Sequence, residues 1–449
     1  MTPRSPWVWV PVLATIASLA QADFFGDIDT TSAPPRAQSE RPITWMGWVQ
    51  HKTAYGYGTP APGVNRSQPD LTRFETQLYG QVNWRQDAWS ARLAGSVAQD
   101  WLPDLQEAEV WQGDEFNEDQ KDARRWQWQW ADSYLGWQSG DAWLKAGYQT
   151  LAWGEAESLI VTDVLARRDQ RWPGQQDLEE TRLPIPALTL NWAGQLDLVI
   201  LRWADTDRLA SAYDDFDTLA GLRATGADIN QRKAENPFGF ALRWQHSGNG
   251  YDLSLMAADV NTYQPSLEAI TMGSQGPEAF TFRPDRRQVI GAGAQWVQGA
   301  WLLRTEQALH QGERLATPNP IEPWAKTTQW RNMVGVEYSG IRQLTLTLEL
   351  GSQYLLDSAE PMAADDWQFS QSARARYTAW NDRLALTAQL VGLPGNEGLV
   401  SRLAADWQVS DPLSVGLQWV DYHAWEADQT LHPFRHQDAV VLNLRYGFY

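Results

Sequence analysis

The chain has 449 residues, a formal net charge of −19, 27 tryptophans and no cysteine. The lack of cysteine excludes disulfides, thiolate metal sites and a lipid anchor on an N-terminal cysteine. The negative charge argues against nucleic acid as a partner, whereas the tryptophan content is typical of membrane interfaces and of surfaces that bind sugars or apolar molecules.

The first residues predict an exported protein. Residues 7–19 are mostly apolar, and Ala20 and Ala22 have the spacing of a signal-peptide cleavage site, so residues 1–22 are interpreted as a secretory signal. This apolar run is shorter than a membrane helix, which needs about 18 residues or more, and no later stretch approaches that length. Residues 23–43 lack periodicity and predict a periplasmic N-terminal tail.

From residue 44 to residue 449, apolar and polar residues alternate along one segment after another. Successive side chains of a strand point to opposite faces, so each segment has one apolar and one polar face. The final segment shows the pattern clearly, with these residues on its apolar face: Val440, Leu442, Leu444, Tyr446 and Phe448. Apolar residues towards lipid, polar residues towards a lumen and aromatic residues near the end are typical of an outer-membrane β-barrel. The fold predicted for residues 44–449 is therefore an all-β, transmembrane, antiparallel up-and-down barrel.

The connections between these segments alternate between short and long. Short turns such as Asp87-Ala88 predict the periplasmic rim, and the long connections predict extracellular loops. The long ones lie near residues 53–71, 100–125, 151–185, 204–236, 261–285, 309–327, 355–367 and 423–436. The pattern predicts 18 strands, or 16 if a weak pair within residues 142–203 is loop. A soluble β-sandwich fits this asymmetry less well.

The predicted lumen carries arginines on several inward faces. The candidates for the substrate path are Arg92, Arg374, Arg376 and Arg402. Two interpretations remain open for them. They pair with inward acids and stiffen the wall, or their positive charge favours anionic or amphiphilic solutes. Arg374 and Arg376 are the leading candidates, because they share a face and their strand has no acid.

Trp126, Trp128 and Trp130 share one face of a strand, and Asp132 has the same parity. An aspartate facing lipid is costly. Either the strand bulges near Ala131 and the tryptophans form an interface belt or an extracellular lip, or the three indoles line the lumen and offer a stacking path for the solute. Trp126, Trp128 and Trp130 are therefore candidate lumen residues.

The connection at residues 100–125 is rich in carboxylates. Such a loop could hold Ca²⁺, but the spacing matches no known calcium loop, and a solvated acidic loop explains the composition equally. The sequence predicts no metal site and no cofactor.

Residues 151–185 are too apolar and too rich in paired charges for a solvated loop. We expect this segment to fold into the barrel and to narrow or plug the lumen. The residues that would form this constriction are Trp153, Glu155, Asp163, Arg167, Arg168 and Arg182.

The same region carries a resemblance to a known family. The run Gly147-x-Gln149-x-x-x-Trp153-Gly154-Glu155, followed by Asp163-Val164 and by Leu183-Pro184-x-Pro186, resembles a family of Gram-negative outer-membrane proteins of unknown function. The family is associated with inner-membrane transporters of the RND superfamily (MMPL type). More distantly, the chain is similar to porin-like and alginate-exporter-like barrels.

The resemblance implies a location in the outer membrane, in contact with lipopolysaccharide. It implies passage of hydrophobic or lipid-like molecules, together with a periplasmic lipoprotein-like partner and an RND-type transporter. The direction of transport is left open.

The chain lacks the usual catalytic patterns. No H-E-x-x-H, G-x-S-x-G or P-loop motif occurs, and the six histidines are not paired with serines on a common strand face. The sequence therefore predicts no enzyme.

The sequence leaves three functions open. The first is an outer-membrane conduit for hydrophobic or amphiphilic molecules. The second is a substrate-selective porin for small anions or oligosaccharides. The third is a scaffold barrel that conducts nothing.

Overall fold

A computed structural model describes most of the predicted barrel. The described residues are 42–58, 70–105, 125–159, 161–176, 181–211, 214–274, 276–319, 322–357, 362 and 365–448. The predicted signal peptide, nearly all of the predicted tail and the middle of the acidic loop (residues 106–124) lie outside these ranges.

Eighteen antiparallel strands form one sheet. The fourth strand has two segments, because its pairing is interrupted at Ala131 and Asp132. In chain order the strands are β1 (Ile43–Gly56), β2 (Asp70–Gln86), β3 (Trp89–Asp100), β4 (Trp126–Trp130 and Ser133–Ser139), β5 (Ala142–Gln149), β6 (Ile185–Trp192), β7 (Leu196–Arg202), β8 (Phe238–Gly248), β9 (Tyr251–Asn261), β10 (Arg286–Gln298), β11 (Trp301–Ala316), β12 (Trp324–Ile341), β13 (Leu344–Asp357), β14 (Trp367–Ala379), β15 (Leu384–Gly392), β16 (Leu399–Gln408), β17 (Leu413–His423) and β18 (Ala439–Phe448).

The sheet closes on itself. Each strand pairs with its neighbours in chain order, and β18 pairs with β1, where Tyr446 lies opposite Val49. The predicted closed barrel of 18 strands is confirmed, and the alternative of 16 strands is not needed. An even strand number puts the start of β1 and the end of β18 at the same rim, which also carries short turns such as Asp87-Ala88 between β2 and β3.

The long connections lie at the opposite rim. The connection predicted at residues 309–327 spans only residues 317–323, because β11 continues to Ala316 and β12 begins at Trp324. A small three-stranded sheet covers part of this rim and is formed by Asp228–Gln231, Ser266–Gly273 and Gly276–Arg283. The remaining short elements are a two-stranded pairing of Arg167–Arg168 with Arg182–Leu183, the helices Leu102–Leu105 and Ala220–Arg223, and the 3₁₀ turns Pro394–Asn396 and His432–Phe434.

The outer surface of the wall is apolar. On β13, Leu346, Leu348 and Leu350 point outwards and are exposed, whereas the inward Thr347 and Glu349 are buried. A continuous exposed apolar surface of this kind is stable only in contact with hydrocarbon. The closing strand follows the predicted parity, with exposed Val440, Leu442, Leu444 and Tyr446. No helix of the described residues is both long and apolar enough to cross a membrane.

The inside of the barrel contains a packed core, which the alternation of residues did not predict. Inward side chains of the wall, such as Val199, Met256 and Val289, are buried against the connection between β5 and β6. This connection contributes Trp153 and Leu165 to the same cluster. Residues 151–159 and 161–176, here called the plug segment, therefore fold into the lumen, as the sequence predicts.

Candidate functional site

The plug segment is attached to the wall through two buried glutamates. The first is Glu306 on β11, which has no exposed surface. Its carboxylate accepts hydrogen bonds from the backbone N–H groups of Glu155, Ala156 (2.7 Å), Val161 (3.0 Å) and Thr162 (2.8 Å), and from the hydroxyl of Thr162 (2.8 Å). Buried backbone donors need acceptors, and a buried carboxylate needs donors. The backbone N–H groups and the carboxylate of Glu306 thus supply each other with hydrogen-bond partners.

The second anchor is Glu349 on β13, which is equally buried. It accepts hydrogen bonds from the backbone N–H groups of Glu157 (2.8 Å), Ser158 (2.8 Å) and Leu159 (3.0 Å). Hydrogen bonds to an ionised acceptor are roughly twice as strong as those between neutral groups. The two glutamates therefore fix residues 155–159, 161 and 162 against one side of the lumen.

The plug segment also contacts the opposite side of the wall. Arg171 lies 3.8 Å from the carboxylate of Glu75 on β2, and the guanidinium of Arg73 lies 3.6 Å from the ring centre of Trp172. β2 and β11 are nine strands apart (11 − 2) in a barrel of 18, so they face each other across the lumen. The plug segment thus crosses the full width of the barrel.

Glu157 of the plug segment pairs with two wall arginines. Its carboxylate lies 2.8 Å from Arg304 on β11 and 3.3 Å from Arg374 on β14. Arg304 also pairs with Glu337 at 2.7 Å. Arg374, a predicted substrate-path residue, is therefore matched in charge by the plug segment and helps to hold it in the lumen.

Two of the other three predicted lumen arginines lie near Arg374 on the wall, and Arg92 lies on a distant strand. Arg376 is half-buried on the inward face of β14, and Arg402 is buried on β16. Arg92 on β3 donates to the Oδ1 of Asn83 at 2.9 Å and lies 5.6 Å from the ring centre of Tyr134. Arg374, Arg376 and Arg402 therefore share one region of the wall, since Gln389 of β15 pairs with both Arg374 and Arg402, whereas Arg92 lies on a separate part of it.

The placement of the three tryptophans in the lumen is wrong. Trp126, Trp128 and Trp130 pair with β3 in a register that points them outwards, and their side chains are exposed on the apolar surface. The strand bulges at Ala131, which was the alternative considered. Because of this bulge, Asp132 turns away from lipid and accepts two hydrogen bonds from Thr150, each of 2.8 Å.

Four of the six predicted constriction residues, Trp153, Asp163, Arg168 and Arg182, lie together around the carboxylate of Asp163. Its carboxylate lies 3.1 Å from Arg168 and 3.2 Å from Arg182, and it accepts a hydrogen bond of 3.3 Å from the N–H of Trp153. Arg167 turns away and pairs with Asp205 at 3.1 Å. These charges are therefore engaged in holding the plug segment.

Residues of the family-like motif have structural roles of the same kind. A side chain at Gly147, whose φ is +140°, would meet the carbonyl oxygen of Ser133 at 2.3 Å, so only glycine fits beside the bulge of β4. Trp153 lies under the guanidinium of Arg243 at 4.9 Å. Glu155 contacts Gln295 on β10. The motif thus marks the place where the chain leaves the wall and enters the lumen.

A cavity of about 340 Å³ lies between the plug segment and the covered rim. Val164 and Arg168 of the plug segment line one side, and residues such as Tyr263, Phe282 and Trp324 line the other. It is large enough for a small organic molecule, since such sites start at roughly 300 Å³.

His310 on β11 contacts the plug segment. The Nε2 of His310 lies 3.1 Å from the carbonyl oxygen of Val161, so this nitrogen carries the proton and the ring holds the plug segment. Within the described ranges, no three histidines or carboxylates are grouped so that they could hold a metal ion. The acidic loop proposed for Ca²⁺ falls largely on residues 106–124, outside those ranges.

We expect Asp207, in the connection between β7 and β8, to make the stability of the plug segment depend on pH. Its carboxylate accepts hydrogen bonds from the N–H of Arg168 (2.8 Å) and the side chain of Gln170 (3.0 Å). Burial raises the pKa of Asp207 to about 6. The folded state then binds this proton more tightly than the unfolded state, so stability is highest below pH ~4 and declines as the pH rises to about 6.

We therefore expect the amide of Arg168 to lose exchange protection between pH 4 and 6, after correction for intrinsic exchange. A shift of about two units corresponds to at most about 3 kcal/mol. The substitution Asp207→Asn should remove this pH dependence. Asp205→Asn, a change at a more exposed aspartate of the same connection, should leave it intact. Equal behaviour of the two variants would contradict the role of Asp207.

The fold is similar to those of several solved outer-membrane channels. OccK2 (OpdF) of Pseudomonas aeruginosa, solved in complex with glucuronate, has 12% identity and a TM-score of 0.52, with 90% of this chain and 98% of that chain covered. OccAB3 of Acinetobacter baumannii has 8% identity and a TM-score of 0.52, with 90% and 99% covered. OccAB2 of the same organism also has 8% identity, with a TM-score of 0.51 and coverage of 90% and 98%. At these identities the likeness concerns the porin-like barrel fold alone.

Comparison of sequences gives the family. No curated protein matches the chain. Residues 63–448 match the family model described as "Protein of unknown function (DUF1302)", which covers most of the chain and includes the motif around the plug segment. The chain therefore belongs to the DUF1302 family.

Proposed function

We propose that the protein is a substrate-selective channel of the Gram-negative outer membrane, closed by its plug segment, and that its solutes are small amphiphilic organic molecules. The apolar outer surface supports insertion in a bilayer, and the porin-like fold supports the outer membrane as its location. The short turns would then face the periplasm and the long connections the exterior.

The observation that carries this proposal is the way the plug segment is held. Residues 155–159, 161 and 162 are fixed by hydrogen bonds from their backbone N–H groups to the side chains of Glu306 and Glu349. Water can replace such hydrogen bonds one at a time when it enters the lumen. The plug segment can therefore leave its anchors while the strand pairing of the barrel stays intact.

The mixed character of the interior supports an amphiphilic solute. The interior contains both buried apolar wall residues such as Val199 and Met256 and buried ion pairs such as Arg304–Glu157. A purely polar sugar would gain little from the apolar part, and a pure hydrocarbon would leave the charged part unsatisfied.

The partners in this proposal come from the family resemblance. We propose that the channel works with a periplasmic lipoprotein-like protein and an inner-membrane RND-type transporter, and that no step of covalent chemistry is involved.

Recording currents in planar bilayers tests the proposal. The unmodified protein should be nearly silent without solute, because the plug segment crosses the lumen, and proteoliposomes should take up small amphiphilic acids faster than sugars of similar mass. A large steady current without solute would favour a water-filled porin. Failure to transport any solute, also after release of the plug segment, would favour a scaffold.

A further inference from the structure

The cavity beside the plug segment has one apolar wall. Leu267 and Phe282 belong to a buried cluster beneath the small sheet at the covered rim, and Ile229 and Leu219 pack against them. All four also line the cavity. A ligand seated here would therefore bury apolar surface.

The other wall carries polar groups without a partner. Tyr263 is 4% exposed, and its hydroxyl finds no hydrogen-bond partner among the described residues. The Nε atoms of Arg287 and Arg314 are likewise buried, and within those residues neither has a hydrogen-bond partner. Native proteins rarely leave such donors unsatisfied, and all three residues line the cavity, so a ligand seated there that draws these side chains towards it would supply the acceptor.

The charges around the cavity favour an anionic acceptor. Glu313 is shared by Arg287 (2.9 Å) and Arg331 (2.5 Å). Arg314 lies 2.8 Å from Asp285 and also covers the ring of Trp324 at 4.4 Å. The arginines are thus held in place by the acids at the edge of the cavity, and a ligand carboxylate would meet their buried Nε–H groups only after a small shift of these side chains.

We propose that this cavity binds an amphiphilic monocarboxylate with a compact apolar body. The carboxylate would accept hydrogen bonds from Tyr263, Arg287 and Arg314, and the apolar body would lie against Leu267 and Phe282. The proposal rests on the proposed channel function, since it names the solute class and a site next to the plug segment. The proposal goes beyond the channel function because it assigns a site at which the solute binds stably.

Isothermal titration of the full-length protein in nanodiscs, with empty nanodiscs subtracted, tests this site. The probes are 4-phenylbutyrate and the matched alcohol 4-phenylbutanol. We expect saturable binding of one phenylbutyrate per chain, and binding of the alcohol at least about tenfold weaker, because a neutral hydroxyl makes weaker hydrogen bonds to arginine.

Three variants locate the binding. Tyr263→Phe should weaken phenylbutyrate binding about tenfold by removing one donor, and Ala316→Trp should abolish binding by filling the cavity. The matched control is Tyr422→Phe, since Tyr422 is equally buried but its hydroxyl bonds to the carbonyl of Pro173 away from the cavity. Should Ala316→Trp fail to fold, Tyr263→Phe against Tyr422→Phe still decides the question.

Equal affinities for the acid and the alcohol, no binding above empty nanodiscs, or the same affinity in Tyr263→Phe and Tyr422→Phe would each overturn the proposal. The channel function is judged separately, from currents and uptake. A protein that conducts through release of its plug segment but binds no phenylbutyrate refutes the site alone. One that binds but never conducts refutes the channel alone.

Discussion

Replacing Glu306 and Glu349 together by glutamine should convert a nearly silent barrel into a conducting one. Each glutamine keeps a single acceptor oxygen and points an amide N–H₂ group at backbone N–H groups that are themselves donors. Hydrogen bonds to charged groups contribute roughly 1.5–3 kcal/mol each. The loss of several at once amounts to a large fraction of the 5–15 kcal/mol that stabilises a typical domain.

The wall should survive this double substitution. Both glutamates are replaced by residues of nearly the same volume, and the ladder hydrogen bonds of β11 and β13 do not involve their side chains. We therefore expect a barrel that still migrates as a folded species in unheated gels. Its current in planar bilayers should be large, with frequent closures as the plug segment returns.

Asp197→Asn is the matched control. Asp197 is a buried inward acid on β7, and its carboxylate binds Arg243 and Asn191 of the wall. If release of the plug segment opens the channel, this variant should stay as silent as the unmodified protein. Equal currents in the control and in the double variant, or silence in both, would show that the two anchors do not close the lumen.

The sequence predicts the wall well, because alternate residues of each strand in a membrane barrel face two different environments. Lipid outside and polar groups inside force a period of two on every strand. The outward row of Val440, Leu442, Leu444 and Tyr446 on β18 therefore had the parity found in the structure. The alternation of short turns and long connections predicted the number of strands. It also predicted that the start of β1 and the end of β18 lie at the rim with the short turns.

The three tryptophans show where parity alone is insufficient. Trp126, Trp128 and Trp130 share a parity with Asp132, and a single extra residue at Ala131 reverses the faces beyond it. A bulge of one residue has no reliable signature in a single sequence. The cost of placing Asp132 in lipid left two explanations, a bulge near Ala131 or tryptophans in the lumen, and the structure has the bulge.

The anchors of the plug segment could not be derived at all. Glu306 and Glu349 had the correct inward parity, but their partners are backbone N–H groups, which every residue except proline carries. A contact between a carboxylate and backbone N–H groups therefore involves no oppositely charged residue that the sequence would reveal. The Glu157–Arg374 pair had a complementary charge, but a separation of 217 residues along the chain hid it among many possible pairs.

The interior core escaped prediction for a related reason. Met256 and Val289 have inward parity on β9 and β10, where a water-filled lumen would call for polar residues. Within their own strands they are apolar residues at inward positions, for which the strand gives no reason. They are explained only when the plug segment brings Val161 and Val164 against them, which is a contact between distant parts of the chain.

Locking the plug segment to the wall should abolish transport altogether. An engineered pair, Thr162→Cys with Gly291→Cys, fits the geometry of a disulfide. A Cβ built on Gly291 of β10 lies 3.0 Å from the methyl carbon of Thr162. The two Cβ atoms then lie within about 4.5 Å of each other, as a disulfide needs. Because the chain has no cysteine of its own, no other disulfide can form within it.

Under oxidising conditions the locked barrel should take up no amphiphilic acid, and reductant should restore uptake within minutes. Each single cysteine variant is a control for the loss of the Thr162 hydroxyl or for the added side chain at Gly291. In the background of Glu306→Gln and Glu349→Gln the same bridge should silence the current, because it replaces the lost anchors by a covalent one. If the oxidised pair transports as fast as the reduced pair, solutes pass the plug segment without displacing it, and the gating role must be given up while the barrel fold stands.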